Sequence, residues 1–183
     1  MNMPRPPPEV RLEPISHADL PLFRSGLQDA FGAGVAEAFG SLPDEPIPSD
    51  DDIDETVGSP GAVAYHMIAG GERVGGAVVV LDELTQRNSL AFFFVSPQLH
   101  GHGIGYRAWL EIEKIHAGTK VWETHTPYFD KRNIHFYVNK CGFNVVEFYN
   151  RHHPDPHQPS IGAPASEEDA DCMFRFEKEM DVP

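Results

Sequence analysis

The chain has 183 residues, of which 40% are hydrophobic and 23% charged, with 12 phenylalanines. That composition fits one soluble globular domain and excludes collagen-like, coiled-coil and wholly disordered chains. Lysine and arginine total 14 against 28 aspartates and glutamates, a formal charge of −14, whereas generic nucleic-acid binding needs a basic face.

Apolar runs such as Ala77–Leu81 and Leu90–Val95 fall far short of the roughly 20 residues a membrane span requires. The first residues, MNMPRPPPEV, contain no apolar signal core. Two cysteines, Cys141 and Cys172, are too few for a disulfide framework, so a reducing cytoplasm is the expected compartment. Between residues 98 and 140, six basic and four acidic side chains leave +2, against −16 for the remainder. An anionic ligand there and a cationic partner elsewhere fit this split, and so does solubility alone.

In chain order, residues 1–9 are Pro-rich and expected to be disordered, and a single domain is expected over 10–183. Val10–Ile15 alternates as a strand. Ser16 and Asp19 resemble a capping box, with a helix from His17 to about Phe31. Gly32-Ala33-Gly34 is expected to break it, leaving a short second helix over Val35–Phe39. The segment 41–61 holds seven acids and no base and is expected to be a loop or mobile insert. Val63–Ala69 and Arg73–Leu81 read as a hairpin turning at Gly70-Gly71-Glu72. Leu90–Val95, continuously apolar, is expected to be a strand buried on both faces. A helix follows from Gly105 to about His116, with Ile104, Ala108, Ile112 and Ile115 on one stripe. Then come a strand over Lys120–His125, an Asp130-capped helix ending at Gly142, and a strand over Phe143–Tyr149. A Pro-rich excursion covers His152–Ser166, and a closing strand covers Asp171–Met180, with Cys172, Phe174 and Phe176 on one face. This order predicts an α/β (α+β) fold, a mixed sheet flanked by helices.

The chemistry concentrates at Val95-Ser96-Pro97-Gln98-Leu99-His100-Gly101-His102-Gly103-Ile104-Gly105. A strand, a Gly-rich turn and a helix in succession aim backbone N–H groups and the positive end of a helix dipole at one point. That arrangement suits a diphosphate; the alternative is a tight structural turn. The Gly-Lys-Ser/Thr ending of a P-loop is absent, and so is the Gly-x-Gly-x-x-Gly dinucleotide fingerprint.

This stretch resembles motif A of the GNAT superfamily of acyl-CoA N-acyltransferases: Val95-Ser96-Pro97, then His100-Gly101-His102-Gly103-Ile104-Gly105, with His100 in place of the usual Gln or Arg. Asp130-Lys131-Arg132-Asn133-Ile134-His135-Phe136-Tyr137, followed by Gly142-Phe143, resembles the family's motif B. Asp130 stands where Asn is common, and one extra residue separates Tyr137 from Gly142. A bulge in the helix absorbs that residue if Tyr137 holds the family's Tyr position; anchoring on Gly142-Phe143 would put Val138 there.

The resemblance, over roughly residues 10–180, implies a mostly antiparallel sheet and acetyl-CoA as co-substrate, with no metal. It implies that the backbones of Phe94 and Val95 pair with the pantetheine arm and that the Val95 N–H polarises the thioester carbonyl. His100, Gly101, His102, Gly103, Ile104 and Gly105 would hold the diphosphate, and Asn133 would bond the pantetheine. Tyr137 would protonate the departing thiolate. The family often places a Glu in the strand before the turn; Leu90–Val95 has no ionisable side chain, so the base is not carried over. Candidates read from the residues are Glu123 and His125, which share a strand face, and His66 on an earlier strand. The implied reaction moves an acetyl group to a primary amine of a small molecule or peptide by direct attack in a ternary complex. The alternative is a catalytically silent module that binds acyl-CoA or a protein. No nucleic-acid or membrane partner is expected, and a homodimer is compatible.

Weaker signals remain. His152, His153, Asp155 and His157 are metal-type donors, but the prolines among them favour a loop. Cys141 and Cys172 read as small buried hydrophobes, and Trp109 and Trp122 as core.

Overall fold

A computed structural model describes residues 9–157 and 172–181. The expected N-terminal tail, apart from Glu9, and the excursion beyond His157 lie outside the described residues. Seven strands form a mixed, mostly antiparallel sheet in the order β1-β2-β3-β4-β5-β7-β6. The chain divides into two compact units, one holding the chain up to Leu81 with Ala91–Ala117, the other holding Asp82–Leu90 and everything from Gly118.

In the first unit β1 (Val10–Pro14) pairs antiparallel with β2 (Ala62–Ala69), and β2 with β3 (Glu72–Val80). The β2–β3 turn places Gly70 and Gly71 at φ of 61° and 85°, left-handed values that match the twist of a tight hairpin. Helix α1 (Leu20–Phe39) is continuous, so Gly32-Ala33-Gly34 does not break it. Two helical glycines cost about 1 kcal/mol each relative to alanine, and the packing of Phe31 edge-on against Phe92, with ring centroids 6.4 Å apart, helps offset that. The helix stops at Gly40, φ 80°. Ser16 does not cap the helix: its Oγ donates to Asp19 Oδ2 at 2.7 Å ahead of a single 3-10 turn over His17–Asp19.

The acidic segment is not wholly loop, because Asp50–Gly58 forms helix α2. Ser49 Oγ accepts the Asp52 N–H at 3.1 Å while Asp52 Oδ2 accepts the Ser49 N–H at 3.3 Å, a reciprocal cap. Three aspartates in the first turn favour the helix's positive end. Ile53 is fully buried in a core with Phe23, Leu27, Ala64, Val78 and Phe94. Arg24 pairs with Asp54, and Gln28 Nε2 donates to Asp50 Oδ1 at 2.8 Å, tying α2 to α1.

Strand β4 (Arg87–Val95) begins in the second unit and ends in the first. The expectation of burial on both faces fails: Leu90 and Phe94 are buried, Ala91 is exposed, and Phe92, Phe93 and Val95 are half-buried. The parallel β4–β5 ladder spans Arg87–Ser89 against Val121–Glu123, so the apolar part of β4 lies past it. Toward β3 the fit is close. A Cβ on Gly75 would stand 2.2 Å from the Phe94 carbonyl oxygen and 3.1 Å from Met67 Sδ. Gly75→Ala should therefore destabilise the fold by about 3 kcal/mol, the upper end of ordinary overpacking, read as a lower urea midpoint. Helix α3 (Ile104–Ile115) buries Ile104, Ala108, Trp109 and Ile112; Ile115, placed on that stripe by the sequence, is exposed.

In the second unit β5 (Val121–Pro127) pairs antiparallel with β7 (Met173–Glu179), and β7 with β6 (Asn144–Tyr149). Helix α4 (Lys131–His135) is capped by Asp130, whose carboxylate accepts the Asn133 N–H at 2.9 Å. It then widens to a π-helix over Phe136–Cys141 and stops at Gly142, φ 81°. The widened turn absorbs the extra residue that the spacing of Tyr137 and Gly142 requires. Trp122, Phe143 and Phe176 are fully buried, and Cys141 and Cys172 are buried free thiols. Among the described residues, no helix is long and apolar enough to cross a membrane.

Candidate active site

The first unit carries the Gly-rich turn. The Ser96 N–H donates to the Val74 carbonyl at 2.9 Å, holding the end of β4 on β3. Backbone groups alternate sides along a strand, so the Val95 N–H, one residue earlier, points away from β3. The chain makes a 3-10 turn over Pro97–Leu99. Gly101 and Gly103 take φ of 82° and 73°, the left-handed region where a Cβ is strained. Gly103 is the N-cap of α3, and the first N–H groups of that helix have no intrahelical acceptor. A Cβ on Gly101 or Gly103 would meet no atom within 4 Å, so glycine is required here by backbone conformation and not by crowding. The space over the turn is open. Gly105 lies inside α3 without a left-handed φ.

The two histidines of the turn hold its shape. His100 Nε2 lies 2.8 Å from the Val95 carbonyl oxygen; a carbonyl only accepts, so this nitrogen carries the proton. His102 Nδ1 lies 3.2 Å and 3.0 Å from the carbonyls of Leu99 and His100 and is a donor on the same argument. The Phe94 side chain is buried edge-on against Phe23, with ring centroids 5.4 Å apart. His66 is buried on β2, with no hydrogen-bond partner for Nε2 among the described residues, and burial pulls it below the ordinary histidine value.

In the second unit, alternation along β5 puts Thr124 and Thr126 in the core and leaves Glu123 and His125 half-buried on the other face. Glu123 Oε2 accepts from Arg175 Nη1 at 2.8 Å, and the same nitrogen reaches Glu177 Oε1 at 2.6 Å. His125 stacks on Tyr149, the rings 13° from parallel and 6.3 Å apart. Burial pulls His125 below the ordinary histidine value, against the opposing pull of the Glu123 and Asp155 carboxylates. It is therefore mostly neutral at pH 7 and has a lone pair to offer.

Tyr137 is buried among Phe136, Phe143 and Phe176, ring centroids 5.3, 5.5 and 5.8 Å away. Burial pushes its phenol far up, with the Thr124 hydroxyl acting the other way, so Tyr137 keeps its proton throughout the working range. Thr124 Oγ1 itself donates to the Leu90 carbonyl at 2.9 Å. Asn133 Nδ2 is committed to Asp130 Oδ2 at 2.7 Å. Thr124 and Arg175 carry no signal in the sequence, where Asp155 reads only as a metal-type donor; Thr124 gains its role from Tyr137 on the next helical segment, and Arg175 and Asp155 gain theirs from Glu123 and His125, both on β5. The histidines of 152–157 go separate ways: His153 Nε2 lies 2.8 Å from Glu147 Oε1, and Arg151 Nε donates to His152 Nε2 at 2.9 Å.

Comparison with known proteins decides the family. Residues 28–143, more than half of the chain, match the model described as the acetyltransferase (GNAT) family. The chain belongs to the GNAT acetyltransferase family. Its relative YrkN of Bacillus subtilis (strain 168), itself an uncharacterized protein, is 51% identical over 178 residues, covering 94% of this chain and 95% of YrkN. Among solved structures, the fold is similar to an IAA acetyltransferase from Bacillus cereus (TM-score 0.65, 20% identity, 93% of this chain and 99% of that one). It is similar also to a Bacillus subtilis acetyltransferase in complex with CoA (TM-score 0.63, 21% identity, 94% and 99%). A GNAT acetyltransferase from Elizabethkingia anophelis with acetyl-CoA bound matches at a TM-score of 0.66 and 15% identity, over 94% and 99%. At these identities the solved structures establish the shared GNAT fold.

Proposed function

We propose that this chain is an N-acetyltransferase that moves the acetyl group of acetyl-CoA to a primary amine by direct attack in a ternary complex. The observation that carries the reading is the turn at Gly101–Gly103. Two left-handed glycines deliver the chain into α3 beneath open space, and the helix's first N–H groups are the donors a diphosphate needs. Membership of the GNAT family and the CoA-bound neighbours support acetyl-CoA as the coenzyme.

In this reading the N–H groups of Gly101 through Gly105, with His100 and His102 bracing the turn, receive the diphosphate. The Phe94 carbonyl is turned toward Gly75 of β3, which leaves Val95 as the backbone that takes the pantetheine as an added strand, with the Asn133 side-chain oxygen as a further acceptor for it. The Val95 N–H, directed away from β3, polarises the thioester carbonyl. A primary amine is protonated at pH 7, with a pKa of about 10, so a proton has to leave before its lone pair can attack. His125 is neutral and takes that proton. Glu123 shares the face, but its carboxylate is engaged by Arg175. The amine nitrogen bonds to the carbonyl carbon, the carbon–sulfur bond breaks, the sulfur takes the Tyr137 phenol proton, and the second proton lost by the nitrogen as it becomes the amide restores the phenol. A thiol ionises near pH 8.5 and a buried phenol well above that, so this transfer is uphill and depends on position. Binding both substrates first replaces a collision with an oriented attack.

The test is thiol release from acetyl-CoA against a panel of amines, from small molecules to peptide N-termini. Amine-dependent release is the expected result. CoA binding with no release for any amine would leave a binding module.

A further inference from the structure

Directly after β6, His153 and Asp155 lie against Tyr149 and His125 of the second unit. Asn150 and His153 exchange two backbone hydrogen bonds of 2.9 Å, a tight reversal, and the His152 N–H closes on Asn150 Oδ1 at 2.9 Å. His153 stacks on Tyr149, 19° from parallel with centroids 5.6 Å apart, and Tyr149 stacks in turn on His125. Two residues beyond the reversal stands Asp155, whose side chain is only 10% exposed. Its Oδ1 accepts the His157 N–H at 2.8 Å. That bond fixes the carboxylate, and its Oδ2 stands 3.9 Å from His125 Nε2. A carboxylate so buried needs a partner, and the imidazole is the group it faces.

We propose that Asp155 is a positioning residue for His125: its carboxylate holds the imidazole with the proton on Nε2 and leaves Nδ1 as the atom that takes the proton of the acceptor amine. This rests on the reading of His125 as the base. The physics is that of a buried carboxylate behind a histidine. It selects the tautomer whose N–H points toward it, and it stabilises the imidazolium formed when the ring is protonated. The separation of 3.9 Å is longer than a hydrogen bond and closes as the ring gains charge. The other charged groups acting on His125 are Glu123, which favours the imidazolium, and Arg175, which opposes it. Glu123, the larger of the two carboxylate influences, is held by Arg175, whereas Asp155 faces the ring nitrogen directly.

The experiment is a pH titration of nitrogen-15-labelled histidines by NMR, with His125→Gln identifying the signal, beside kcat/KM–pH profiles of wild type and Asp155→Asn. In the wild type, neutral His125 should carry its proton on Nε2. In Asp155→Asn the His125 proton affinity should fall about tenfold, the acid limb of kcat/KM should move to lower pH by the same amount, and CoA binding should be unchanged. A His125 that is Nδ1-protonated in the wild type, or whose midpoint is the same in Asp155→Asn, overturns the proposal; the wild-type tautomer decides even if the variant folds poorly. A midpoint that moves while the rate profile does not would uphold the Asp155–His125 pair and remove His125 as the base.

Discussion

Tyr137→Phe should lower turnover with acetyl-CoA and amine by about a hundredfold, the low end of general acid catalysis, while CoA affinity stays within about twofold. The substitution removes one oxygen from a ring buried among Phe136, Phe143 and Phe176, so the shape that supports α4 survives. In the proposed reaction the substitution takes away the proton donor to the leaving sulfur. Because burial pushes the phenol up, the wild-type rate should show no alkaline limb from Tyr137 below about pH 10, the ordinary tyrosine value. On the acid side, burial has moved His125 downward. The neutral, proton-accepting form therefore dominates above the ordinary histidine midpoint of about 6.5, and the rate should fall only as pH drops below it. Steady-state kinetics beside CoA titration separates the outcomes, and unchanged turnover removes Tyr137 from the mechanism.

Gly103→Val should abolish coenzyme binding at concentrations that saturate the wild type. Position 103 has a φ of 73°, where a β-branched residue carries about 1–3 kcal/mol of strain. Nothing crowds the site, so the chain relieves that strain by rotating its backbone. The rotation turns the first N–H groups of α3 away from their common focus. Hydrogen bonds to charged groups contribute about 1.5–3 kcal/mol each. Losing two weakens binding by at least about a hundredfold. The core of the first unit, built on Phe23, Leu27, Ile53 and Phe94, lies elsewhere, so the variant should remain folded.

What the sequence made legible were features governed by local rules. The Gly-rich turn after β4, the hairpin at Gly70-Gly71 and the Asp130 cap each follow from a few neighbouring residues, although the left-handed φ at Gly101 and Gly103 is a finding of the structure. The π-helix was legible only through the family resemblance, whose motif B has one residue fewer between its Tyr and Gly-Phe, and only if Tyr137 rather than Val138 holds the Tyr position. Features that depend on tertiary packing were not. Gly32-Ala33-Gly34 looks like a break, and α1 continues because Phe31 has Phe92 to pack on. The acid-rich Asp50–Gly58 looks like loop, and it folds because Ile53 fills the core while Ser49 and Asp52 cap each other. Leu90–Val95 looks buried on both faces, and it is not, since the β5 ladder ends at Ser89. Of the site, the turn and Tyr137 came from motifs. Asp155 beside His125 could not, because a contact between residues 30 positions apart leaves no pattern in one chain.

The most direct test of the account is calorimetric titration of the intact protein with CoA and acetyl-CoA, run beside Gly103→Val. The wild-type chain should give saturable heat at one coenzyme per chain, with thermal protection, and the variant neither. A wild-type chain that gives no heat and no protection at millimolar coenzyme, or a variant that binds as well as wild type, would contradict it.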